Sequence, residues 1–459
     1  MLVAELERAL LRGEDVAGSE LVLQELRRTI RSAAHPVPRI GDAARKFFMP
    51  LEPLLVDAPA DHKRVGRLAR VSLEPIWEWI GRDLMPAEAK ALSEDVTRAL
   101  LGDDGVKVDL LVRALHDRAI RRINEAIAAA GADEKARRRL SVQVGTPRAI
   151  EDLTALVRIL SLRDALGELG RRLPDHIRAF DRDQVEQVKM LLDTIAMPKL
   201  QPQLQHNAAA QKPDFFLYGL VMVMNRLAAP WQLIRVATRA AETDETARIA
   251  ETPYAVAVTI VLSEMECMVG ELRSELKAGR PIASMLKTIH DAARGLRTEM
   301  DLSVDSPWAR RLAAIRGAIA NLLTGEIEAT AGRVRRLLRP RPAKEIAPGS
   351  MLDSIDVQEV EARVELVGAC RNYAGELAVS EVTMRTFSEI SQYLETGTRI
   401  LLDALRHAED AERPFRQSQV DAAIRFCRTV FGNDYAGLLA KAADVAVHNA
   451  AVERRPARA

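Results

Sequence analysis

A chain of 459 residues with 48% hydrophobic composition can bury a sizeable core, and its length suits two or three domains better than one. Lysine and arginine number 66 against 65 acidic residues, so the formal charge of +1 creates no global field for nucleic acid or an anionic membrane. The three cysteines, Cys267, Cys370 and Cys427, are sparse and far apart, which excludes a disulfide framework or a zinc knuckle and fits a reducing, cytoplasmic setting.

Residues 1–13, MLVAELERALLRG, carry Glu5, Glu7 and Arg8 inside their apolar stretch, which breaks the run a secretory signal needs and predicts an amphipathic helix. Pro50–Val56 (PLEPLLV) and Ser72–Glu78 (SLEPIWE) each set Leu-Glu-Pro before an apolar cluster, so the proline is expected to open a helix whose first turn is buried. Trp77 and Trp79 are two residues apart, which turns them about 200° from one another on a helix. One then serves the core and the other is a partner-contact candidate, unless the helix is sandwiched and buries both.

Thr146 can cap a helix entered through Pro147, with Ile150, Leu153, Val157 and Leu160 on one stripe. Val185, Val188, Leu192 and Ile195 repeat the pattern after Asp181. Residues 199–212 are polar, glutamine-rich and aperiodic, as a linker is. The apolar runs Phe215–Met224 and Tyr254–Leu262 are about ten residues each, well short of the roughly twenty a membrane span requires, and read as buried helices. Ser306–Pro307 opens a further helix with Leu312, Ile315, Ile319 and Leu322 facing one partner.

Residues 340–350 have the proline, glycine and charge of an exposed connector. Beyond them, Val360, Val364, Val367 and Leu377 lie along a helix starting near Asp356, and Phe387, Ile390, Leu394, Leu401 and Leu405 along another. These two helices bury little alone, so their core is completed either by a closing pair from Gln417 to His448, with Ile424, Phe426 and Leu438, or by the N-terminal domains or another chain, and residues 450–459 read as a disordered tail. The expected architecture is all-α, with multi-helix bundles in an extended arrangement and no significant sheet: an N-terminal bundle over 1–198, a middle bundle over 213–339, and a C-terminal segment over 351–449 able to form a two-fold dimer.

Phosphate-binding loops, dinucleotide fingerprints, the G-x-S-x-G elbow, H-E-x-x-H and the EF-hand loop are all absent from the sequence, and no cofactor is expected. For a helical protein the remaining enzyme chemistry is a metal or small-molecule site between helices. Its candidates are Glu264, Cys267 and Glu271 on one helical face, with His290 and Asp291 on the next helix. The competing structural reading is a packed cysteine flanked by surface glutamates. Asp403/His407 and Asp444/His448 are i, i+4 pairs, a spacing that surface ion pairs also adopt.

Arg333, Arg335, Arg336, Arg339, Arg341 and Lys344 form the densest charge cluster, at a helix end where cations complement the dipole. With no aromatic platform among them nucleic acid is a poor fit, but anionic lipid or another polyanion is an alternative ligand. The function expected is a non-enzymatic intracellular scaffold, adaptor or regulatory subunit that contacts other proteins. The alternatives are an enzyme with its site in the middle bundle and a peripheral membrane or polyanion binder using the Arg333–Lys344 cluster.

Overall fold

The computed structural model describes residues 41–59, 64–100, 105–131, 133–196, 208–280 and 282–453. The N-terminal amphipathic helix expected over 1–13 lies outside the described residues. Among those described there are eighteen α-helices and one two-stranded parallel sheet, so the fold is all-α. The chain divides into two compact units, Met1–Ala228 and Ala229–Ala459.

The first unit opens with α1 (Asp42–Phe48) and a 3-10 turn over Met49–Leu54, in which Leu51 and Leu54 are fully buried and Pro53 sits inside rather than at the start. Strand β1 (Leu55–Val56) pairs with β2 (Leu68–Ala69) in the register Leu55 to Leu68 and Val56 to Ala69. Then follow α2 (Leu73–Trp79), α3 (Pro86–Leu100), α4 (Gly105–Ala130), α5 (Glu134–Val144), α6 (Ala149–Ser161), α7 (Arg163–Arg172), α8 (Arg182–Ala196) and α9 (Ala208–Arg226). Asp133 starts α5 by accepting the Ala136 amide at 2.6 Å, and Gly145 ends it in the left-handed region that glycine enters without penalty.

Two local expectations are corrected here. Helix α6 begins at Ala149, after a turn through Pro147 and Arg148, and Thr146 does not cap it. The Thr146 hydroxyl instead lies buried beside the Asp152 carboxyl, which burial pushes up against the opposing influence of Ser72 and Thr146. The middle bundle expected from residue 213 also loses its first helix. Helix α9 packs on α7 and α8, burying Phe215, Phe216, Leu220, Val221 and Val223 in the first unit. Gly219 permits that approach, since a β-carbon there would lie 3.1 Å from methyls of Leu169 and Leu192. Most of the expected linker at 199–212 lies outside the described residues, and from Ala208 the chain is helical.

The second unit holds α10 (Ile234–Ala241), α11 (Thr246–Ala250), α12 (Val256–Lys277), α13 (Ala283–Glu299), α14 (Pro307–Leu338), α15 (Ser354–Leu377), α16 (Ser380–Arg406), α17 (Arg413–Phe431) and α18 (Asn433–Glu453). Its organising element is α14, whose 32 residues extend about 48 Å. Ser306 caps α14 by accepting the Trp308 amide at 3.2 Å, with Pro307 in the first turn as the sequence leads one to expect. Its buried stripe runs Leu312, Ile315, Ile319, Leu323 and Ile327, so the fourth core position is Leu323 rather than Leu322.

Helix α12 packs on α14, as do α15 and α16, so the segments expected as separate middle and C-terminal domains share one core. Val360, Val364, Val367, Leu377, Ile390, Leu394, Leu401 and Leu405 are buried as expected. Helices α16, α17 and α18 pack on one another, with Phe426 buried, but Leu438 is 67% exposed and takes no part in closing the bundle. Helix α18 turns Ala436, Ala443 and Ala446 inward together with Leu439, which shares a small cavity with Leu401 and Val420, while Leu438 and Val445 face outward. It runs to Glu453, past the expected start of a disordered tail at 450, and residues 454–459 lie outside the described residues.

Candidate functional site

Helix α14 stops where Pro340 follows Arg339, because a residue before proline is driven from helical to extended backbone; Arg339 has ψ 124°. The last carbonyls of α14 are taken up by Gln419, fully buried on α17, whose Nε2 donates to Arg339 O at 3.0 Å and to Leu337 O at 3.4 Å. The connector is exposed along most of its length, yet it is anchored. The Gly349 amide donates to Ala411 O at 2.8 Å, the Leu352 amide donates to Ser418 Oγ at 3.0 Å, and Ile346 is buried. The Arg341 guanidinium lies 5.0 Å from the centre of the Phe415 ring. Asp353 then caps α15, accepting the Ile355 amide at 2.8 Å.

This return of the chain leaves an open groove of about 740 Å³ between the C-terminal half of α14 and the start of α15. Its floor is apolar, from the buried side chains of Leu337, Val360 and Phe415. Arg333, Arg336 and Arg341 stand along one rim, and Asp353, Asp356 and Glu359 along the other. Arg333 and Glu359 form an ion pair, while Arg336 and Asp356 have no ion-pair partner among the described residues. Met351 stands at the mouth, 68% exposed. Among the described residues no histidine, cysteine, serine, tyrosine or lysine lines the groove.

The basic cluster around this groove is largely spent within the fold. Besides the Arg333 and Arg341 contacts, Arg335 pairs with Glu389 at 3.0 Å and Arg339 with Glu345 at 3.4 Å. Arg335, Arg339 and Lys344 are exposed. The cluster therefore joins α14 to α15 and α16 and braces its own connector, which adds a structural role to the dipole argument that accounts for cations at a helix end.

Glu264, Cys267 and Glu271 all lie on α12, where Cys267 is buried and the glutamates are half-buried. His290 lies on α13 against Tyr373 of α15, ring centres 4.9 Å apart and planes tilted by 43°, while Asp291 pairs with Lys287 at 2.6 Å. Among the described residues no three histidine, cysteine, aspartate or glutamate side chains converge to hold a metal ion. Burial pushes the Cys370 and Cys427 thiols up to about 12, so neither presents a thiolate nucleophile.

Trp79 is buried in the first unit, and Trp77 is half-buried against Phe47 and Phe48, with ring centres 5.3 and 6.2 Å away. Helix α2 is thus sandwiched, and both rings work inward. Trp231 and Trp308 are half-buried in the second unit. His407 sits on the surface, its Nδ1 2.9 Å from the Asp403 carbonyl and 3.7 Å from the Asp403 carboxylate, with no other hydrogen-bond partner among the described residues. The side chain of His448 lies outside the described residues.

Sequence reasoning found the cationic rim but not the acidic rim or the apolar floor. Phe415 is distant in sequence and reaches the groove only because α17 packs back on α14 and α15. Comparison with protein-family models, with curated proteins and with solved structures finds no match to this chain.

Proposed function

We propose that the chain is a non-enzymatic helical scaffold, adaptor or regulatory subunit that works through protein–protein contacts, with the second unit as its association unit. The α14–α15 groove carries this reading: an apolar floor inside a charged rim is the build of a contact surface, and among the described residues its lining offers no thiol, hydroxyl, amine or imidazole side chain. The outward Leu438 and Val445, one heptad apart on α18, add a second apolar face of the same unit. A cytoplasmic setting agrees with cysteines joined by no disulfide and with the finding that no helix among the described residues is long and apolar enough to cross a membrane.

The alternative of a polyanion or lipid binder has less support, since four of the six cluster cations are engaged by Glu359, Glu389, Glu345 and Phe415. The enzyme alternative in the middle bundle has no converging ligand set among the described residues. Affinity capture of the full chain, run beside an Arg336→Glu variant, tests the proposal. A stoichiometric protein partner held by the parent and lost by the variant is expected. Absence of any protein partner, self-association included, or a metal-dependent turnover by the purified chain, would overturn it.

A further inference from the structure

The groove is not only charged but balanced, and the geometry points to a second copy of this chain as its occupant. This inference rests on the protein–protein reading above and specifies the partner. Three arginines face three carboxylates across one apolar floor, so the surface carries no net charge and cannot select a strongly acidic or strongly basic ligand. It is complementary to itself. In a two-fold dimer each patch meets its own copy, and the direction of the axis decides which rims meet. An axis perpendicular to the groove within the contact plane would set arginines on arginines. An axis along the groove sets the arginine rim of each copy over the carboxylate rim of the other.

The available charges fit the second arrangement. Arg333 and Glu359 are already paired, Asp353 is engaged as the α15 cap, and Arg341 rests on Phe415. Arg336 on α14 and Asp356 on α15 are exposed and have no ion-pair partner among the described residues, so two reciprocal Arg336–Asp356 contacts form between copies. Met351, 68% exposed, and the half-buried Leu352 line the groove, and in the dimer they cover the groove of the other copy with apolar surface. The charged rim sets orientation, and Met351 and Leu352 supply apolar surface whose removal from water favours association.

The test is sedimentation equilibrium on the full chain over a range of concentrations, with circular dichroism to confirm that each variant remains folded. The parent chain is expected to dimerise. Arg336→Glu and Asp356→Arg, each placing like charges opposite one another twice per dimer, are expected to weaken association by about tenfold or more. The combined R336E/D356R chain exchanges both rims at once and should regain most of the lost affinity, which a general folding defect could not produce. A parent that stays monomeric, a dimer indifferent to the single reversals, or a double variant no better than the singles would overturn the inference. A dimer left intact while Arg336→Glu releases a different protein would overturn it as well, yet would support the broader adaptor reading.

Discussion

Gly295 of α13 lies flat against the indole of Trp231, so close that a β-carbon at residue 295 would fall 2.2 Å from the ring carbon Cε3. Glycine is needed here for space, within a helix where it is otherwise a poor choice. The contact also explains why Trp231, half-buried and carrying the Arg235 guanidinium 5.4 Å from its ring centre, belongs to the core of the second unit. Gly295→Ala is expected to destabilise that unit by about 1–3 kcal/mol, overpacking outweighing the better helix propensity of alanine. Urea unfolding followed by tryptophan fluorescence measures it, and an unchanged or raised midpoint would contradict the packing described.

His116 on α4 is 2% exposed, and its Nε2 lies 2.7 Å from the Phe47 carbonyl. A carbonyl only accepts, so Nε2–H donates, which fixes the tautomer of the neutral ring. Burial pushes its pKa down from 6.5 to about 4, opposed in part by the Phe47 bond and reinforced by Arg163. Between those values the unfolded chain holds a proton that the folded chain refuses. Stability is therefore full above about pH 6.5, falls as the pH drops towards 4, and levels off below, with a total loss of about 3 kcal/mol. Hydrogen exchange of α4 peptides at a series of pH values should show this loss, and His116→Leu should flatten it. A slope that survives the substitution would assign the effect to another group.

The C-terminus of α15 offers two substitutions of opposite sign. Ala378 ends the helix with φ 57°, in the left-handed region that costs a non-glycine residue about 1–2 kcal/mol. Ala378→Gly is expected to raise stability by about 0.5–1 kcal/mol after the extra freedom of glycine in the unfolded chain is subtracted. Arg316 reaches the same turn from α14, its Nε donating to Glu376 O at 2.9 Å and its Nη2 to Gly375 O at 2.8 Å. Arg316→Ala should lower stability by about 1–3 kcal/mol, as loss of hydrogen bonds from a charged donor does. Thermal unfolding of the two variants beside the parent decides both signs.

Gln419 is the clasp on the end of α14, and its removal should be felt in the connector before it is felt globally. Gln419→Leu leaves the Leu337 and Arg339 carbonyls without their donor at a cost of about 1–3 kcal/mol. Gln419→Glu should cost more, because a carboxylate then faces the negative end of the helix dipole. Limited proteolysis is the sensitive measurement: cleavage within residues 340–350 should accelerate in both variants. Equal cleavage rates in parent and variants would show that the connector does not depend on Gln419.

The fold class was legible because each helix advertises itself locally. Apolar residues recur at helical spacing from Val185 to Ile195 and from Leu312 to Ile319, and Ser306 caps the longest helix as its sequence suggests. Periodicity says which face of a helix is apolar, but not what covers it. Leu438 is apolar and exposed because α18 docks through the face that carries Ala436, Leu439, Ala443 and Ala446, and residues 213–226 join the first unit because Gly219 lets them approach α7 and α8.

The groove belongs to that second kind of information. Arg333, Arg336 and Arg341 stood out along the chain as a run of charge, while Asp353 and Phe415 carried no local mark and Asp356 marked only a helix start. Their meeting depends on the return of the chain after Pro340 and on α17 lying across the end of α14, contacts between residues far apart in sequence. Short-range sterics and hydrogen bonding wrote the helices into the sequence. The balance of charge around one apolar floor exists only once long-range packing has chosen which helices are neighbours.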